Sequence, residues 1–303
     1  MNNLYKFVAA FIVAGLIALS SLFSVSVSVA PKPLFEKLFF GETLAPEPGN
    51  LSSSNLEELV LPAEGVVLPV VWRDLGRQMT ASGVINAAKF KDLYATRGGL
   101  TQEMEKMLAE AGNDRIKITK KNSQVWLNLL WALGLGNKNE ILDKGEMQNP
   151  QFGGAGNFAS TGGWTLASGG AMQHYSAHNF IALDSAQQAL VDEVSRGIYR
   201  PCCGNSTHFP DCNHGMAMLG LLELMASQNV SEQEMYKNAL AVNSYWFPDN
   251  YLTIAKFLSR QGISWDRVDS AEILGAKYSS AQGYARILKS VSPAPSSNPS
   301  CGA

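Results

Sequence analysis

Charge is scarce in this 303-residue chain, and soft donor side chains are scarcer still. Only 17% of residues are charged while 46% are hydrophobic. That balance specifies a well-buried globular body and excludes a disordered solvating chain. The 24 basic and 26 acidic residues are scattered and leave a net charge of −2. Without a basic stripe, a nucleic-acid-binding surface has no footing, and neither has a polybasic lipid-binding segment. A phosphate cradle is excluded too, since there is no GxxxxGK[ST] and no strand leading into a GxGxxG. The chain lacks the G-x-S-x-G elbow of serine hydrolases. HYSAH, from His174 to His178, lacks the glutamate of HExxH, and CNH at Cys212–His214 is not a CxxCH haem motif. CxxC is absent as well, which removes the usual thiol-redox pattern. No catalytic residue is assigned.

What is present begins with an uncharged amino-terminal run. After Lys6, FVAAFIVAGLIALSSLF extends from Phe7 to Phe23, and SVSVSVA continues it to Ala30. Seventeen helical residues reach roughly 26 Å, slightly short of a bilayer core. Residues 1–30 therefore read as a signal peptide or a transmembrane anchor. Ser26 and Ser28 suit cleavage, whereas the single basic flank suits an anchor with the body outside. Either way the body is exported, membrane-anchored or secreted, into a compartment that permits disulfides. Residues 31–69, rich in Pro, Gly and Ser, read as an extended linker. Residues 291–303, SVSPAPSSNPSCGA without its first residue, read as a disordered tail that holds Cys301.

Between 70 and 290 the periodicity is helical. Val84, Ile85, Ala88, Phe90 and Leu93 are spaced for one helix, and Thr101 caps the next. NSQVWLNLLWALGLG and MAMLGLLELMA are too apolar all round for surface helices and belong in the core. Arg115–Thr119 reads as one short strand. MQNPQFGGAGNFASTGGWTLASGG, from Met147 to Gly170, reads as a long irregular Gly-rich loop over the body. Asp184 or Ser185 can cap one helix, with Gln187 or Gln188 reaching back, and Ser231 with Glu234 forms a capping box; Asp211 is placed to cap the helix that follows it. The fold class expected is mainly α: a single irregular helical-bundle-like domain preceded by an N-terminal hydrophobic helix.

Donors cluster in IYRPCCGNSTHFPDCNHGMAMLGLLELMA, Ile198–Ala226. Here lie Cys202, Cys203 and Cys212 of the four cysteines and His208 and His214 of the four histidines. His174 and His178 are four apart upstream and would share one face of a helix. A cysteine at a helix amino terminus has a lowered thiol pKa, and its thiolate binds soft metals. Thiolate with imidazole selects Zn or Cu, and nearby Met216 and Met218 would favour Cu(I). Cys202, Cys203, Cys212, His214, His208, His174 and His178 are thus the candidate metal ligands. C-C-x₈-C-x-H is not a standard zinc spacing, so a second reading stands beside the first. In it a disulfide between Cys203 (or Cys202) and Cys212 closes a loop of about ten residues, worth roughly 2–3 kcal/mol, in a structural or interaction domain without cofactor.

PCC at Pro201–Cys203, DC at Asp211–Cys212, the His214–Gly215 step into an apolar helix, and SEQEMYKNALAVNSYW resemble the exported bacterial proteins named for a PCYCGC motif. The resemblance covers about fifty residues around Pro201–Trp246 and implies metal donors at Cys202, Cys203, Cys212 and His214. The chain departs from that pattern at PCCGN, which has one motif cysteine fewer, and in the following helix, where apolar residues stand for cysteines. The membrane, through an uncleaved N-terminal helix, is the one partner implied; nothing names a protein partner.

Overall fold

The computed structural model describes residues 53–292. The signal or anchor at 1–30, the start of the linker, and all but the first two residues of the tail, with Cys301, lie outside the described residues.

Order begins earlier than the Pro/Gly/Ser composition suggested. SSNLEELV forms helix α1 (Ser53–Val60), and VVLPVVWR forms strand β1 (Val66–Arg73). Leu56, Val60 and Leu61 are buried, as are Leu68, Val70 and Trp72 on alternate positions of the strand. That period of two outweighs Pro69, which a strand with one partner tolerates because its missing N–H faces no ladder. β1 pairs antiparallel with β2 (Gly112–Ile118), Val66 opposite Ile118 and Arg73 opposite Gly112. The register shifts between Val67 and Val71, around the proline.

The rest of the described chain is helical or irregular. Helices α2 (Leu75–Ser82), α3 (Ala87–Ala95) and α4 (Gln102–Ala109) lie between the strands in sequence. After β2 come α5 (Ser123–Gly136) and α6 (Glu140–Lys144), then α7 (Ser185–Gly197), α8 (Asn213–Ser227), α9 (Glu232–Trp246) and α10 (Pro248–Ser259). Short helices α11 (Ser270–Leu274) and α12 (Ala276–Ser279) lead into α13 (Ala281–Val291). The expected mainly α class is what the chain adopts. Among the described residues no helix is long and apolar enough to cross a membrane.

The two helices too apolar for a surface form the centre. α5 and α8 are buried along nearly their whole lengths. They cross at Gly134 and Gly220, where a Cβ on Gly220 would lie 2.7 Å from the Gly134 backbone nitrogen. Only hydrogen fits on either side, so this contact fixes α8 against its neighbour backbone to backbone. Thr101 accepts from the Met104 N–H, and Asp184 with Gln187 makes the complete box. Ser231 accepts from the Glu234 N–H, although Glu234 does not reach back to complete the reciprocal bond.

Candidate metal centre

The amino terminus of α8 differs from the expectation by one residue, and the difference is chemical. Cys212, not Asp211, is the N-cap, and its sulfur accepts from the Gly215 N–H at 3.4 Å. Asp211 is diverted because its carboxylate already takes Arg200 Nη2 at 2.7 Å and Asn205 Nδ2 at 2.8 Å. With that oxygen pair committed, the sulfur is left at the positive end of the helix dipole.

The connection from α7 to α8 is folded back so that its thiols meet there. Cys202 Sγ lies 3.7 Å and Cys203 Sγ 3.9 Å from Cys212 Sγ. One donor atom from each of the three falls within 4.8 Å of the others, so the cluster could hold a metal ion. Neighbouring sulfurs on a tetrahedral zinc at about 2.3 Å would be about 3.8 Å apart. The same separations are well beyond the ~2.05 Å of a disulfide, and all three cysteines are free thiols. The Cys203–Cys212 bond expected on the second reading is therefore absent here.

His214 borders this cluster, with Nδ1 4.0 Å from Cys202 Sγ. Its ring is held by Phe247, centroids 4.4 Å apart, and by the edge of Trp246 at 5.9 Å. It stands outside the group of mutually close donors.

Arg200 underlies the site. It is 1% exposed, and Nε donates to Cys212 Sγ at 3.0 Å while Nη1 donates to the Asn205 carbonyl. Gly215 makes room for it, since a Cβ there would sit 2.5 Å from Arg200 Cζ. Hydrogen bonds from Cys202 and Cys203, then from His214, and the Arg200 charge hold the Cys212 thiol far below its ordinary pKa. Cys202 is pushed up by its bonds to Cys203 and Cys212. Cys203 is lowered by its bond to Cys202 but raised more by its bond to Cys212 and by partial burial, to about 11. Of the three sulfurs, Cys212 is thus the one most readily deprotonated, with Cys202 and Cys203 as its hydrogen-bond partners. Binding an ion would displace the thiol protons.

The other histidines are engaged elsewhere. His208 Nδ1 meets Glu146 Oε2 at 2.7 Å, and Nε2 meets Asp192 Oδ1 at 2.8 Å and Arg196 Nη2 at 2.7 Å. Both ring nitrogens are occupied, and the residue pins the cysteine loop to α7. It also lines a cleft of about 1020 Å³ that none of the described cysteines borders. His174 Nδ1 lies 3.0 Å from His178 Nε2, and His174 Nε2 lies 3.0 Å from the Ser168 carbonyl. Met216 and Met218 are wholly buried core residues.

The Gly-rich excursion braces the same loop, a role the sequence did not signal. Phe152 and Phe158 pack on Phe209, and the Ser160 N–H donates to the Asp211 carbonyl. Arg200 and Phe247 were also unmarked by any motif, and the His214–Gly215 step did not signal that Gly215 makes room for Arg200. The one available hint was a lone arginine directly before PCC in an apolar stretch. No protein-family model, no curated protein and no solved structure matches the chain.

Proposed function

We propose that this chain is an exported or membrane-tethered helical protein that binds a soft metal ion, Zn²⁺ or Cu⁺, through Cys202, Cys203 and Cys212. The observation that carries the reading is the separation of the sulfurs, 3.7 and 3.9 Å from Cys212, which suits thiolates sharing one ion. His214, at 4.0 Å from Cys202, supplies a fourth donor after a small ring movement. Three thiolates and one imidazole suit Zn²⁺, and three thiolates alone suit Cu⁺. The uncharged run Phe7–Phe23 supports export, and the PCC, DC and HG steps resemble exported metal-site proteins. The task served is storage, delivery or sensing of the ion outside the cytoplasm.

The test is elemental analysis of the full-length chain purified without chelator, with thiols counted before and after denaturation. The expected result is one Zn or Cu per chain and three thiols that react only once the ion is removed. Cobalt(II) substitution should give an intense sulfur-to-cobalt charge-transfer band that the Cys212→Ser chain lacks. Absence of bound metal after supplying Zn²⁺ or Cu⁺, with all three thiols reacting freely in the folded protein, would overturn the proposal.

A further inference from the structure

The three sulfurs are not equivalent. Cys212 lies within 4 Å of both others, while Cys202 is the one exposed to solvent. Cys202 and Cys203 are adjacent in sequence, and a disulfide between neighbours closes a strained ring. Every unstrained disulfide this cluster can form must include Cys212.

We propose that the cluster is also a site of reversible oxidative modification by hydroperoxides, in which Cys202 is oxidised first, Cys212 closes the disulfide and the bound ion is expelled. This rests on the metal reading above and adds the regulation of that site.

In the loaded chain the ion holds both sulfurs as thiolates, and the chemistry balances with the peroxide and two protons from solvent, one for each departing oxygen. The sulfur of Cys202 attacks the distal peroxide oxygen; an S–O bond forms, the O–O bond breaks, and the other oxygen leaves as an alcohol, or as water from hydrogen peroxide. The Cys212 sulfur then attacks the Cys202 sulfur. An S–S bond forms, the S–O bond breaks, and that oxygen departs as water. Two electrons pass from the two sulfurs to the peroxide, and the ion leaves because two of its donors no longer carry charge.

The surroundings allow this motion. Cys202 sits in a turn after Pro201, not within a helix, so its sulfur can move the difference between 3.7 Å and a bond length of about 2.05 Å. Cys212 is held as the fixed half, capping α8 through the Gly215 N–H and bonded to buried Arg200. Cys203 keeps a separate contact, its thiol 3.8 Å from Asp211 Oδ1, and remains as the unpaired thiol.

The experiment uses the full-length chain with Cys301→Ser, so that the tail thiol takes no part, first loaded with Zn²⁺ and then treated with hydrogen peroxide. Released zinc is read with a chromophoric chelator, thiols are counted, and the pairing is mapped by peptide mass spectrometry. One zinc released per two thiols lost, a Cys202–Cys212 disulfide, and rebinding after dithiothreitol are the expected results, whereas a Cys203–Cys212 bond would overturn the inference. Cys203→Ser should retain the Cys202–Cys212 bond, while Cys212→Ser should cut disulfide yield by at least an order of magnitude. A Cys202–Cys203 bond, irreversible sulfinate in place of a disulfide, or zinc retained with all thiols intact would each overturn the inference. A metal-free arm separates it from the metal reading. A chain that takes up no ion yet forms the Cys212 disulfide sinks that reading and supports the pairing, whereas a loaded chain that resists peroxide does the reverse.

Discussion

The Nε of Arg200 donates to Cys212 Sγ across 3.0 Å, and the same guanidinium holds Asp211 Oδ1 at 2.7 Å, with the arginine 1% exposed. A buried cation thus sits between a thiolate and a carboxylate. Removing it leaves both anions without their partner, which costs more than the pair itself contributes. Arg200→Met should destabilise the metal-free chain by about 3 kcal/mol, measured as the shift in urea midpoint. Metal-loaded protein should suffer less, because the ion takes over neutralisation of Cys212. Equal losses in the two states would show that Arg200 acts on packing alone.

Gly215 offers a test whose sign runs against helix propensity. Replacing an interior helical glycine with alanine ordinarily stabilises by up to about 1 kcal/mol. Here the new Cβ would lie 2.5 Å from Arg200 Cζ, and the guanidinium, bonded on several sides, has nowhere to go. Gly215→Ala should therefore lower the melting temperature and raise the Cys212 thiol pKa, read by the pH dependence of alkylation. A stabilised Gly215→Ala chain would mean that Arg200 is less fixed than its contacts require.

The thiols make stability depend on pH in two directions. Cys212 has a depressed pKa in the fold, mainly through the thiols of Cys202 and Cys203. Its contribution is present above the unfolded thiol pKa of about 8.5 and is lost as pH falls from there. Cys202 and Cys203 are raised, so the unfolded chain ionises first and stability is lost as pH climbs past about 8.5. The cysteine contribution of the metal-free chain therefore peaks near that value. The measurement is the urea midpoint of the parent minus that of Cys212→Ser, followed from about pH 6 to about pH 10. A difference that stays flat on the acid side would contradict the thiolate assignment.

Much of this arrangement could be read before any coordinates. The all-round apolar character of NSQVWLNLLWALGLG and MAMLGLLELMA marked α5 and α8 as core, because no polar stripe remained for water. The crowding of sulfur and imidazole into Ile198–Ala226 marked the site, and three of its thiols do meet. Which donors meet was not legible. His174 and His178 have a spacing that suits a shared ligand, yet they bond to each other. His208 is claimed by Glu146 and Asp192, which lie 62 and 16 residues away in sequence. Asp211 carried the better capping side chain, and the pull of Arg200 and Asn205 on its carboxylate transferred that role to Cys212. Local pattern settles local structure; partners brought in from elsewhere decide the chemistry.

His214 distinguishes a four-donor centre from a three-donor one. Its Nδ1 is 4.0 Å from Cys202 Sγ, near the about 3.6 Å edge between sulfur and nitrogen on a shared tetrahedral zinc. His214→Ala should weaken Zn²⁺ binding by at least the about 10- to 100-fold that losing an outer-shell partner costs, without abolishing it, and should leave Cu⁺ affinity nearly unchanged. Cys212→Ser should abolish both. Competition titrations with a chromophoric chelator measure the order directly. Undiminished Zn²⁺ affinity in His214→Ala would leave the imidazole as an aromatic packing residue against Phe247.

Glu223 is the cost carried by the helix that begins at Cys212. Its side chain is fully buried in α8, with Oε1 accepting from Asn139 Nδ2 at 2.6 Å and Oε2 without a hydrogen-bond partner among the described residues. Burial raises its pKa well above the ordinary carboxylate value, only partly offset by the Asn139 and Asn137 amides. The folded chain therefore keeps the proton that the unfolded chain gives up. Stability must fall as pH rises from the unfolded carboxyl pKa of about 4.3 toward the folded one, and then level off. Glutamine mimics the protonated carboxyl in shape and can still accept from Asn139. Glu223→Gln should accordingly be more stable than the parent at neutral pH and should lose that part of the decline. Urea midpoints of the two chains at about pH 5 and about pH 8 check this, the gap widening at the higher value. A gap that narrows instead would mean that Glu223 is ionised in the fold and that the Asn139 amide suffices to hold its charge.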